Sequence, residues 1–266
     1  MGILLIKEIY SGRKNNTYED DYWSYFIKGV FAVFFPFFYD PTYILIIPAL
    51  LLAVYAQFKV KGTYNKYSRI YSKQGLTGAD VAREILKKKG INDVSVQQIK
   101  GHLSDHYNPK EKVLNLSIDV YGSSSLAAIG IAAHEAGHAI QDAVNYSPMN
   151  IRASLVPAAN IGSRWGLPLA IMGFFFRSDM GQYMILAGLV LFFGAFLFHL
   201  VTLPVEFNAS NRAIAILDRE RFLSGQELTG AKKVLRAAAF TYVAATLVAL
   251  ANLLRILMLF GMSRDD

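Results

Sequence analysis

Residues 184–203 read MILAGLVLFFGAFLFHLVTL, 20 residues without a lysine, arginine, aspartate or glutamate. As a helix this stretch rises about 30 Å, the thickness of a bilayer's hydrocarbon core. Outward from it, 42–58 is an uncharged run of 17 residues and 237–254 one of 18. A fourth candidate, 153–176, is interrupted by Arg164 and predicts a long helix that begins packed in protein near Pro157 and ends in lipid. Residues 25–39 carry Lys28 and Pro36 and run into Asp40-Pro41, which fits a segment lying in the interface as well as one that crosses. The composition agrees: 53% of residues are hydrophobic and only 18% charged, against about a quarter in soluble domains. The fold class is therefore a mostly α integral membrane protein with about four transmembrane helices. Three nearly all-round apolar helices would be hard to bury inside a soluble chain of 266 residues.

The flanks orient these spans. Lys59, Lys61, Lys66, Arg69 and Lys73 follow the first with no acid before Asp80, which places that side in the cytoplasm. Before that span, Lys7, Arg13, Lys14 and Lys28 are balanced by Glu8, Glu19, Asp20 and Asp21, so this part is expected outside. The opening Gly-Ile-Leu-Leu-Ile is too short for a signal-peptide core, and no cleaved signal is expected. The expected organisation is an N-terminal extension, 1–40; a transmembrane helix, 41–58; a cytoplasmic module, 59–150; a transmembrane hairpin, 151–203; a cytoplasmic helix, 204–236; and a last transmembrane helix, 237–260. The chain is thus expected to be multi-pass in the cell membrane, with the lipid bilayer as a partner. A net charge of +7 is accounted for by the inside loops. No recognition module accompanies it, so no nucleic-acid partner is expected.

Between Lys59 and Tyr146 the composition becomes that of an α+β domain. Thr77 caps a helix expected to run through Lys89 and stop at Gly90, with Lys87, Lys88 and Lys89 at its cation-favouring end. Residues 94–99 and 113–118 alternate as strands around a polar segment, 101–110. Ser123, Ser124 and Ser125 offer N-caps for a helix that carries His134-Glu135-Ala136-Gly137-His138. On a helix, residues i and i+4 share a face, so both imidazoles can reach one zinc, and the glutamate beside the first can take a proton from water. Chance would produce this pattern on the order of 0.003 times in such a chain. With no cysteine present, disulfides, thiolate nucleophiles, Fe–S clusters and Cys-ligated zinc are all excluded.

A catalytic zinc needs a third protein ligand. After the motif the candidates are His199, Asp142, Asp179, Glu206, Asp218, Glu220 and Glu227. Glu206 stands out because it follows the uncharged span and Pro204, in apolar company where a carboxylate needs a cation. Helix capping or solvation at the interface is the alternative for it. His199 reads as a hydrogen-bonding residue between helices.

HEAGH followed by VTLPVEFNASNRA, and preceded by AQFKVKGTYNKYS, GLTGADVAREIL and GHLSDHYNP, resembles the bacterial membrane zinc metallopeptidases of the YugP type. More distantly, it is similar to the membrane gluzincins that include the CAAX prenyl proteases and the HtpX-type proteases. The resemblance runs from about Phe34 to Leu257. It implies a zincin-like module, one zinc per chain held by His134, His138 and Glu206, and Glu135 as general base. In the distant relatives an aspartate four residues after the ligand glutamate sits behind a histidine ligand; here that position is Ser210. Asp142, one turn after His138, is a candidate to orient that ring. Asn208 and Arg212 are further candidates whose facing the spacing does not give.

Zinc endopeptidases commonly hold an extended substrate along a strand beside the active-site helix. That implies a substrate-binding role for the segment containing His102, Ser104, Asp105 and His106; a polar turn and a second metal site at His102 and His106 are the alternatives. The implied activity is a zinc-dependent endopeptidase at the cytoplasmic membrane face, acting on protein or peptide substrates, membrane-associated ones in particular, as in quality control. A membrane-protein partner or homo-oligomer is compatible with it. A non-catalytic zinc-holding scaffold is the rival reading; a transporter is disfavoured because the spans offer little beyond His199, Asn252 and Arg255.

Overall fold

The structure is a computed structural model that describes residues 41–176 and 179–265. The N-terminal extension, with its candidate interfacial stretch 25–39, lies outside the described residues. Helices dominate. A short 3₁₀ turn, Pro41–Leu45, leads into α1, Ile47–Tyr67; α2 is Gly78–Lys88; β1, β2 and β3 are Ser95–Ile99, His106–Asn108 and Val113–Ser117. Then come α3, Ile118–Tyr121; α4, Leu126–Ala143; α5, Ser147–Ile161; a π-helical turn, Gly162–Gly166; α6, Leu167–Phe175; α7, Asp179–Arg219; and α8, Gly225–Asp265. Among the described residues two compact units form, one from Ala53–Val156 with Phe198–Ala245, the other from 41–52, Pro157–Leu197 and 246–265.

In the first unit the local signals lead directly to structure. Thr77 accepts from the Asp80 N–H and the Asp80 carboxylate accepts back from the Thr77 N–H, a reciprocal cap that starts α2. Gly90, at φ +68°, follows its end in the left-handed region glycine tolerates best. The apolar face of α2, with Ala82, Ile85 and Leu86, packs into one core with Leu114 and Leu116 of β3 and Ile129 and Ala133 of α4. β3 is central: β1 runs parallel to it and β2 antiparallel, in the order β1-β3-β2. β2 emerges from inside the polar segment. At three residues it is too short to show alternation, and its pairing with β3 defines it.

Helix α4 begins at Ser125, whose hydroxyl accepts from the Ala128 N–H at 3.2 Å. It is buried on nearly every side, because its alanines and glycines let neighbours approach closely. A Cβ on Gly137 would lie 2.7 Å from the Ala209 carbonyl oxygen of α7. The absent side chain therefore sets how near α4 and α7 come.

Three helices are long and apolar enough to cross a membrane: Thr42–Tyr67, Asp179–Arg219 and Gly225–Met258. Their large side chains are widely exposed, among them Leu51, Phe58, Tyr183, Val190 and Leu257. The fourth expected span, 153–176, is helical but divided by the π turn into α5 and α6, neither of which is long enough alone. In this second unit a Cβ on Gly162 would meet the Leu191 carbonyl oxygen at 2.0 Å, so the turn fits against α7 only as glycine. Arg255 is buried here, with its guanidinium 3.8 Å from the Tyr43 ring centroid and Nε donating to Thr42.

Candidate metal centre

His134 and His138, one turn apart on α4, present their rings to each other edge-on with centroids 4.7 Å apart. Glu206, two residues past Pro204 on α7, brings Oε2 to 3.2 Å from His134 Nε2 and 3.6 Å from His138 Nε2. One ligand atom from each of the three residues lies within 4.8 Å of the others, the only such group of three found among the described residues. Two imidazoles and a carboxylate, all nearly shielded from solvent, match the donor set of a zinc site with room for a further ligand.

The backs of both rings are held. His138 Nδ1 lies 2.9 Å from Gln141 Oε1, and His134 Nδ1 lies 3.1 Å from Ser210 Oγ. With Nδ1–H donated to these oxygens, each Nε2 keeps its lone pair for a metal. Gln141 is itself fixed, because its amide N–H groups donate to the Val205 carbonyl at 2.8 Å and to Asn208 Oδ1 at 3.0 Å, where Arg212 Nε also donates. Asn208 thus supports the centre at one remove, through Gln141.

Asp142 does not orient His138. Its carboxylate accepts from the Tyr107 hydroxyl and from Lys112 Nζ, both at 2.6 Å, tying α4 to the sheet. The residue in the orienting place is Gln141, three positions after the histidine and on its side of the helix.

Glu135 sits beside the centre and is 4% exposed. Burial pushes its carboxyl up to about 7, while the neighbouring His134 ring and the Tyr107 N–H, which donates to Oε2 at 3.0 Å, pull the other way. A carboxyl in that range can both take and return a proton near neutral pH.

The four residues of the polar segment part company. His102 is exposed and pairs through Nδ1 with Asp119. The Ser104 hydroxyl donates to the Lys100 carbonyl. Asp105 is buried and accepts from the N–H and hydroxyl of Ser117, fixing the loop before β2 to the end of β3. Burial raises its carboxyl, with the Ser117 bonds opposing. His106 lies on β2 between the Ser104 carbonyl and Asn115 Nδ2. His102 and His106 thus face different partners and form no second metal cluster among the described residues.

Several contacts at the centre are not legible from spacing. Arg152 of α5 donates from Nη1 to Glu206 Oε1 at 2.9 Å. Tyr242 of α8 hydrogen-bonds Glu206 as well. Arg152, Tyr242, His199, Thr202 and Glu206 line a cavity of about 50 Å³, enough for a water molecule. Arg152 did leave a trace in the sequence: it is the one charged residue between Asp142 and Arg164.

The model of one protein family, described as "Putative neutral zinc metallopeptidase", matches residues 42–261. The chain belongs to this family. The match spans the HEAGH helix and Glu206, and the zinc in the family's description agrees with the donor set. A relative from Bacillus subtilis (strain 168), described as "Putative membrane protease YugP", is 45% identical over 222 residues, covering 84% of this chain and 97% of the relative. No solved structure matches.

Proposed function

We propose that this neutral zinc metallopeptidase relative is an active membrane endopeptidase. The reading rests on one observation above all: two histidines and a glutamate converge in a largely shielded cluster while Glu135, which is not needed to hold a metal, is kept beside them. A scaffold that only retained zinc would not need that carboxyl. His134, His138 and Glu206 would hold one zinc per chain, which supplies a Lewis acid that acidifies water and polarises a scissile carbonyl. Glu135 accepts the proton of the attacking water and passes it to the leaving amine. The Tyr107 N–H steadies Glu135 from β2, and β2 offers the strand along which an extended peptide would pair.

The helices support a multi-pass arrangement in which α1, α7 and α8 cross the bilayer and the divided α5–α6 run forms a fourth pass with its π turn against α7. The basic cluster after residue 58 favours the cytoplasmic side for the centre. Substrates would then be membrane proteins or their loops, as in quality control, and a membrane-protein partner or a second copy could present them.

The first test is zinc per chain in detergent-purified protein. About one zinc, lost in His134→Ala, is expected. No zinc, or zinc untouched by that substitution, would overturn the reading.

A further inference from the structure

The two oxygens of Glu206 face different partners. Oε2 faces the Nε2 atoms of His134 and His138, the side on which a metal would be held. Oε1 accepts from Arg152 Nη1 at 2.9 Å. A carboxylate that is 3% exposed needs a positive partner. Arginine provides one that cannot be lost by deprotonation.

Given the metal centre proposed above, on which this inference rests, we propose that Arg152 and zinc compete electrostatically for Glu206. Without the metal, Arg152 satisfies the buried carboxylate and keeps α5, α7 and the two histidines assembled. With the metal bound, the arginine drains electron density from Oε1, makes Oε2 a poorer donor and repels the second cation. The coupling is reciprocal: whatever zinc loses by the presence of Arg152, Arg152 loses by the presence of zinc. The centre would therefore be stable when empty and would hold its zinc less tightly than its donors alone allow. Positioning by Arg152 without competition predicts the opposite sign, because a slack Glu206 would bind zinc more weakly.

The sign is measurable without any substrate. Zinc affinity is determined on the full-length, detergent-purified protein at pH 8, by competition with a chromophoric chelator. Arg152→Met should bind zinc at least tenfold more tightly than wild type. Arg152→Lys, which restores a charge where only one N–H is used, should stay within about threefold of wild type. The thermal midpoint gives an independent readout: Arg152→Met should lose more stability in excess chelator than in saturating zinc. Should that variant fail to fold, Arg152→Gln, which removes the charge and keeps an N–H, serves the same comparison. Equal or weaker zinc binding in the uncharged variants, or equal losses with and without zinc, would overturn the inference. If wild type holds zinc that His134→Ala loses and the Arg152 variants bind no more tightly, the competition alone is wrong. If wild type holds no zinc, the metal centre falls with it.

Discussion

Each residue of the centre has its own measurable consequence. Glu135→Gln removes the proton acceptor and leaves the three metal-holding side chains. Zinc content should stay near wild type while peptide hydrolysis falls by about 10²–10⁴-fold, the usual worth of a positioned acid–base group; a fully active variant would refute the assignment. Ser210→Ala takes away the acceptor behind His134 Nδ1, and about tenfold weaker zinc binding is expected by titration against a chelator. Asp105, just before β2, contributes to the pH dependence of stability. Its folded-state pKa is raised, so its folded form holds the proton more tightly than the unfolded chain does. Its contribution to stability is complete below the ordinary carboxylate value and is lost as pH rises through the raised one. Asp105→Asn, which can still bond Ser117 N–H, should flatten that loss: the difference in thermal midpoint between pH 5 and pH 8 should shrink relative to wild type.

Among the elements, the distance between α4 and α7 decides whether a centre exists. Two glycines of α4 make a controlled pair. A Cβ on Gly137 would meet the Ala209 carbonyl oxygen at 2.7 Å, backbone that cannot swing aside, whereas one on Gly130 would meet the Ala231 Cβ at an ordinary 3.5 Å. Gly137→Ala should therefore cost about 1–3 kcal/mol by overpacking. It should also lower zinc affinity, because Glu206 rides on the displaced helix. Gly130→Ala should be neutral or slightly stabilising, since alanine favours a helix by up to about 1 kcal/mol over glycine. Zinc titration and thermal unfolding of the two variants check the contrast, and similar behaviour would mean that helix spacing does not control the site. At α2, Thr77→Ala breaks the reciprocal cap with Asp80 and should cost about 1 kcal/mol.

For the whole molecule the question is the bilayer. The chain has no cysteine, so single cysteines can be placed without background. With the proposed topology, Lys73→Cys should react with a membrane-impermeant maleimide only from the cytoplasmic side of sealed vesicles. Asp179→Cys should react only from the other. Labelling of both from one side would refute the orientation and leave α7 as something other than a single crossing.

The sequence alone determined what depends on local spacing. An uncharged run of 20 residues is a helix that water cannot solvate, HEAGH on a capped helix sets two imidazoles on one face, and Thr77 with Asp80 starts α2. Glu206 was legible for a similar reason, as a lone carboxylate just past an apolar span. Only the tertiary structure decided which distant groups meet them. Glu206 lies 72 residues from His134 and 54 from Arg152, and Ser210 lies 76 from His134. Contacts over such separations depend on how helices rotate about their axes and how closely glycines let them approach. That is why Arg152 belongs to the centre, and why Gln141, one turn after His138, is fixed behind it by Val205 and Asn208 of α7. The same holds for β2 and for the division of 153–176. Three residues acquire strand character only by pairing with β3, and the π turn exists where Gly162 packs on α7.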